Sequence, residues 1–126
     1  MKLSVEKFHQ ELVDALRKYL PGGDLEIIEM SILRLKVRFY IAVSFFVDIF
    51  YAVRTQKVSF AVVQKGKRIF GIDNLGGWHS HPFGKSEEHV KIPEQSIESI
   101  VIECSRIIKE LDKESKTEQN VNNSLV

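Results

Sequence analysis

Three of the four histidines in the chain, His79, His81 and His89, fall in one short window. Imidazole has an ordinary pKa of about 6.5, so neighbouring rings can exchange protons near neutral pH or ligate a metal. The window belongs to a segment from Gly71 to His89 that also holds Asp73-Asn74, four of the seven glycines and the only tryptophan, Trp78. Gly, Asn and Pro weaken helices and strands, and imidazole adds little to a core. The segment therefore reads as a loop that carries chemistry.

Two chemistries fit these residue types. Cleavage of RNA through its own 2′-hydroxyl needs a base for that hydroxyl, an acid for the leaving oxygen and cations for the phosphate, and no metal. His79 and His81 supply the acid/base pair, with His89 supporting. Asp73 and Asn74 would orient an imidazole or bind the sugar, because a carboxylate on one ring nitrogen fixes the tautomer of the other. Lys67, Arg68, Lys85 and Lys91 would bind phosphate, and Trp78 or Phe83 would stack on an unpaired base. The alternative is a zinc site: His79 and His81, two apart on an extended chain, point to one side, and His89 or Glu87/Glu88 would complete three ligands with an open position for water. A third reading has the rings simply lining a polar loop.

Further elements must position this segment. Ser4 can cap a helix running to about Leu20, with Val5, Phe8, Leu12, Ala15, Leu16 and Tyr19 at helical spacing and Pro21-Gly22-Gly23 ending it. From Leu25 the period becomes two. Leu33, Leu35, Val37 and Phe39 alternate with Arg34, Lys36 and Arg38, a half-buried strand with a basic outer stripe suited to a polyanion. Ile41 to Val53 reads as one or two buried strands. Val58 to Val63 and Arg68 to Ile72 read as a hairpin, with Gly66 supplying the positive φ that a short loop demands. Its exit strand delivers the chain into Asp73-Asn74. Pro93 suits the first turn of a closing helix whose stripe is Ile97, Ile100, Val101, Cys104, Ile107, Ile108 and Leu111. The expectation is an α+β fold: an antiparallel sheet of four to five strands with an N-terminal and a C-terminal helix on one face.

Composition bounds the rest. The 126 residues suffice for one domain, placed at 1–112, with a polar, disordered tail at 113–126. No apolar run of about 18 residues and no secretory leader is visible, so a cytoplasmic protein without a membrane contact is expected. The single Cys104 excludes an internal disulfide and reads as a buried, reduced thiol. The net charge of +1 conceals a division: between Met30 and Ile72 Asp48 is the one acid, against Arg34, Lys36, Arg38, Arg54, Lys57, Lys65, Lys67 and Arg68.

Two resemblances follow from these motifs. His79-Ser80-His81-Pro82 after Gly77-Trp78 resembles the His-x-His-Pro signature of JAMM-type metalloproteases over that short stretch; the pattern would need Glu26 or Glu29 as its catalytic glutamate. The second spans roughly Leu25 to Leu111. A basic strand hairpin, the exit Phe70-Gly71-Ile72-Asp73-Asn74, a histidine- and proline-rich segment closing in His89-Val90, and an isoleucine-rich last helix together resemble the TumE-like toxins of prokaryotic type II toxin–antitoxin modules. Where that pattern commonly has Arg or Tyr before Asp-Asn and a further His-x-His, this chain has Ile72 and a lone His89. The resemblance implies a small growth-inhibiting toxin acting on RNA, bound by a protein antitoxin. A homodimer is compatible with it, and a module that binds nucleic acid without cleaving it is the remaining alternative.

Overall fold

A computed structural model describes the backbone of residues 1–124 and the side chains of residues 1–113. Helix α1 (Val5–Tyr19) is followed by seven strands and helix α2 (Ile97–Ser124). The strands are β1 (Asp24–Met30), β2 (Arg34–Ala42), β3 (Phe45–Ala52), β4 (Lys57–Gln64), β5 (Lys67–Asp73), β6 (His79–His81) and β7 (Val90–Lys91). They form one antiparallel meander in sequence order. The class is α+β as expected, with more strands than the four to five anticipated. The tail expected at 113–126 falls almost entirely outside the described side chains.

The first helix starts where its cap dictates. Ser4 Oγ accepts from the Lys7 backbone N–H at 3.1 Å, satisfying a donor that has no partner within the helix. Val5, Phe8, Leu12, Ala15 and Leu16 form the buried stripe. The closing helix begins later than Pro93 suggested. Ser96 and Ser99 exchange bonds, each hydroxyl accepting from the other's backbone N–H at 3.0 and 3.1 Å. This reciprocal cap fixes the start at Ile97, and Pro93 lies in the preceding extended segment.

Alternation sorts the strands onto two faces. Leu35, Val37, Phe39, Val47, Ile49, Tyr51, Val58, Phe60, Val62, Phe70 and Ile72 are buried with the helix stripes in one core. Fully burying a side chain of this size contributes about 1.5–3 kcal/mol. Phe8 and Tyr51 stack at 4.3 Å between ring centres. The Tyr51 hydroxyl donates to the Leu3 carbonyl and accepts from the Leu3 N–H, tying the chain start to the sheet.

The β4–β5 hairpin turns at Lys65 and Gly66, with φ of 51° and 78°. Two successive positive φ values are what a tight, right-twisted hairpin needs, and Gly66 takes one without strain. Among the described residues no helix is long and apolar enough to cross a membrane. Cys104 is buried as expected, and burial pushes its thiol pKa up to about 12.

Candidate active site

The histidine segment is partly strand. His79–His81 pairs with Gly71–Asp73 at the end of β5, and Val90–Lys91 returns to pair with His79 and Ser80. Because side chains alternate, His79 and His81 both stand on the face that carries no helix, while Trp78 and Ser80 point the other way. Trp78 packs against the core and so lies across the sheet from the histidines, which corrects its expected role as a base-stacking platform. A three-residue strand offers no readable period, and this is why the segment looked like a loop.

Three rings converge. The centroid separations are 4.9 Å for His79–His81, 4.8 Å for His79–His89 and 4.5 Å for His81–His89, with His79 and His89 stacked. Asp73, paired with His79 in the β5–β6 ladder, spans two of them. Its Oδ1 lies 3.1 Å from His79 Nε2 and its Oδ2 lies 3.0 Å from His81 Nε2. Oδ1 also accepts from the Leu75 backbone N–H, which fixes the carboxylate at the strand end. The other nitrogen of each ring faces a backbone carbonyl: His79 Nδ1 to Gly77 at 3.0 Å and His81 Nδ1 to Ser86 at 3.1 Å.

Burial grades the cluster from floor to rim. The side chains of His81, His79 and Asp73 are 4%, 13% and 16% exposed, and His89 is exposed. Among the described residues His89 has ring contacts and no hydrogen bond on either nitrogen. His89 is therefore the ring open to a ligand.

A clamp holds the loop over β5. Arg68 Nη2 donates to the Ser86 carbonyl at 2.9 Å, the same oxygen that faces His81 Nδ1, and Ser86 Oγ donates to the Arg68 carbonyl at 2.8 Å. Gly71 makes room beneath: a Cβ there would lie 3.3 Å from Arg68 Cδ and 3.4 Å from His81 Cδ2. The Asn74 side chain accepts from Val58 N–H and donates to the Gln56 carbonyl, so its amide ties the strand end to the β3–β4 turn.

The basic stripe shares this face at a distance. Lys36, Phe50, Ser59, Asp73, His79 and Lys91 form one cross-strand row, and Arg38, Asp48, Ala61, Gly71 and His81 form the next. β2 and β6 are four strands apart, roughly 19 Å at about 4.8 Å per strand. In the first row Ser59 and Asp73 separate Phe50 from His79, and in the second Ala61 and Gly71 separate Asp48 from His81, with the Arg68 side chain packed beside Gly71. Toward β2 the face is aromatic and basic: the Arg38 guanidinium lies 4.1 Å from the Phe46 ring centre and Lys57 Nζ lies 5.8 Å from that of Phe50.

The stripe is also less positive than its sequence suggests. Arg38 pairs with Asp48 at 2.8 Å, a bond that holds the guanidinium pKa above its ordinary value, and Arg34 pairs with Glu29 at 3.0 Å. Both carboxylates come from neighbouring strands, invisible along β2 itself. Lys67 and Lys85 are exposed in the hairpin and the histidine loop. Lys91 pairs with His79 in the β6–β7 ladder, and Arg68 reaches the Ser86 carbonyl that also faces His81. Glu26 and Glu29 sit on β1, at the opposite side of the sheet from the histidines.

No family model matches this chain, and no curated protein or solved structure matches it either.

Proposed function

We propose that this chain is a TumE-like toxin that cleaves single-stranded RNA at the histidine cluster without a metal. The observation that carries the reading is the convergence of His79, His81 and His89 around Asp73, on the helix-free face that also bears the cations. That combination supplies proton carriers and phosphate-binding charge together. The resemblance over Leu25 to Leu111 supplies the toxin–antitoxin setting.

Roles follow from exposure. His89, with both nitrogens open, accepts the 2′-hydroxyl proton as that oxygen attacks the adjacent phosphorus. His79, partly exposed, turns one ring N–H away from its resting partners Asp73 and Gly77 and donates that proton to the departing 5′-oxygen, leaving a 2′,3′-cyclic phosphate. His81, buried with both nitrogens engaged, positions Asp73 rather than touching RNA. Arg68 and Lys91 neutralise the phosphate. A base stacked against Phe50 would sit three strands away, roughly 14 Å at about 4.8 Å per strand, so a short unpaired segment spans that distance.

A protein antitoxin is part of the proposal. At the sheet edge far from the cluster, Ile27, Ile28 and Met30 of β1 are 49%, 45% and 44% exposed, apolar surface that a protein partner would cover. Expression in a bacterial host without an antitoxin tests the reading: the parent arrests growth and the His79→Ala/His89→Ala double variant does not. Equal arrest by a folded double variant overturns it.

A further inference from the structure

The nitrogens of His79 and His81 carry an unresolved hydrogen-bond inventory. All four face oxygen acceptors: the Gly77 and Ser86 carbonyls and the two oxygens of Asp73. Protons on Nε2 bridge the rings to the carboxylate when no metal is bound. A carbonyl accepts only, so with Nδ1–H kept on Gly77 and Ser86, removing the Nε2 protons leaves two Nε2 lone pairs aimed at a carboxylate. A dication displaces those protons and takes their place as the bridge.

The geometry matches that arrangement. Nδ1–H on a backbone carbonyl with Nε2 free is the usual outer bonding of a metal-bound histidine. Zinc binds imidazole nitrogen and carboxylate oxygen at about 2.0–2.2 Å, which places tetrahedral donors about 3.3 Å apart. Here the Nε2-to-oxygen separations are 3.1 and 3.0 Å. Ligand atoms of His79, His81 and His89 all lie within 4.8 Å of one another. His89 at the rim can close as a further donor.

We infer that His79, His81, Asp73 and His89 form a site for one zinc-class dication, and that filling it blocks RNA cleavage. The second half rests on the function proposed above, because the ion takes the ring nitrogens that would handle protons. The first half stands without it.

Full-length protein freed of metal and titrated with zinc chloride by calorimetry gives the decisive reading. The expected result is one ion per chain, with affinity reduced by at least about tenfold in His81→Ala and in Asp73→Asn. His9→Ala, outside the cluster, leaves binding unchanged. No uptake by the parent, or equal uptake by both cluster variants, overturns the site. Should a variant fail to fold, cobalt(II) bound to the parent supplies the check: visible bands of a four-coordinate nitrogen and oxygen set support the site, and an aquo-ion spectrum overturns it. Cleavage of single-stranded RNA that falls in step with zinc occupancy supports the block. Cleavage that rises with zinc overturns both the block and the metal-free chemistry while the site stands. Zinc uptake by a protein that cleaves no RNA overturns the block and the proposed function alone.

Discussion

Oδ2 of Asp73 lies 3.0 Å from Nε2 of His81, so a carboxylate at the end of one strand is joined to a buried ring at the end of the next. The same carboxylate reaches His79 through its other oxygen. One side chain thus sets the orientation of two rings, and the third, His89, stacks on His79.

Replacing Asp73 with Asn should uncouple the rings. It removes the charge and one of the two acceptor oxygens. Hydrogen bonds to charged groups contribute about 1.5–3 kcal/mol, so urea denaturation should find Asp73→Asn less stable by about that amount, with RNA cleavage strongly reduced. A variant as stable and as active as the parent would show that the carboxylate organises nothing.

Asp48 should restrain RNA binding through Arg38. The pair is about one-third exposed on each side, so its contribution to folding is within about 1 kcal/mol. Asp48→Asn releases the guanidinium for phosphate. Affinity for single-stranded RNA should rise and the salt dependence steepen by about 0.7 in log–log slope, while Arg38→Ala does the reverse. Filter binding across a salt series measures both, and unchanged slopes would remove Arg38 from the RNA path.

Tyr51→Phe keeps the stacked ring and deletes the hydroxyl. The Leu3 N–H and carbonyl then lose their partner beside the core. The loss should be about 1–3 kcal/mol, read as a lower urea midpoint with an unchanged slope. A neutral outcome would mean that the first residues do not dock in solution.

The Cys104 thiol predicts an alkaline limit. Its folded pKa of about 12 exceeds the ordinary 9.0, so the folded state keeps a proton that the unfolded state releases. This contribution is complete below pH 9 and declines between pH 9 and 12, at up to about 1.4 kcal/mol per unit. Denaturation at pH 8 and pH 10 should show a smaller loss in Cys104→Ala than in the parent. Equal losses would place the alkaline sensitivity elsewhere.

Much of this architecture was legible in sequence where a period ran long enough. The α1 stripe, the Leu35/Val37/Phe39 alternation and the Gly66 turn each follow from spacing plus one residue with special backbone or capping chemistry. The grouping of His79, His81 and His89 was legible too, because so few other histidines compete. Contacts set by register were not. Asp73 meets His79 and His81 only because β6 folds back on β5 with Asp73 opposite His79, and Arg38 meets Asp48 only across the β2–β3 ladder. The burial of His81 depends on the Arg68–Ser86 clamp, for which neither residue type gives a signal. Trp78 misled because its face was set by a strand too short to read.

The most direct measurement is the cleavage rate of single-stranded RNA in chelator-containing buffer by the parent and by His89→Ala. The expected result is fragments ending in 2′,3′-cyclic phosphate and a rate about 10²–10⁴-fold lower for the variant, with unchanged denaturation. Parent protein that leaves the RNA intact, or a variant that cuts as fast, would contradict it.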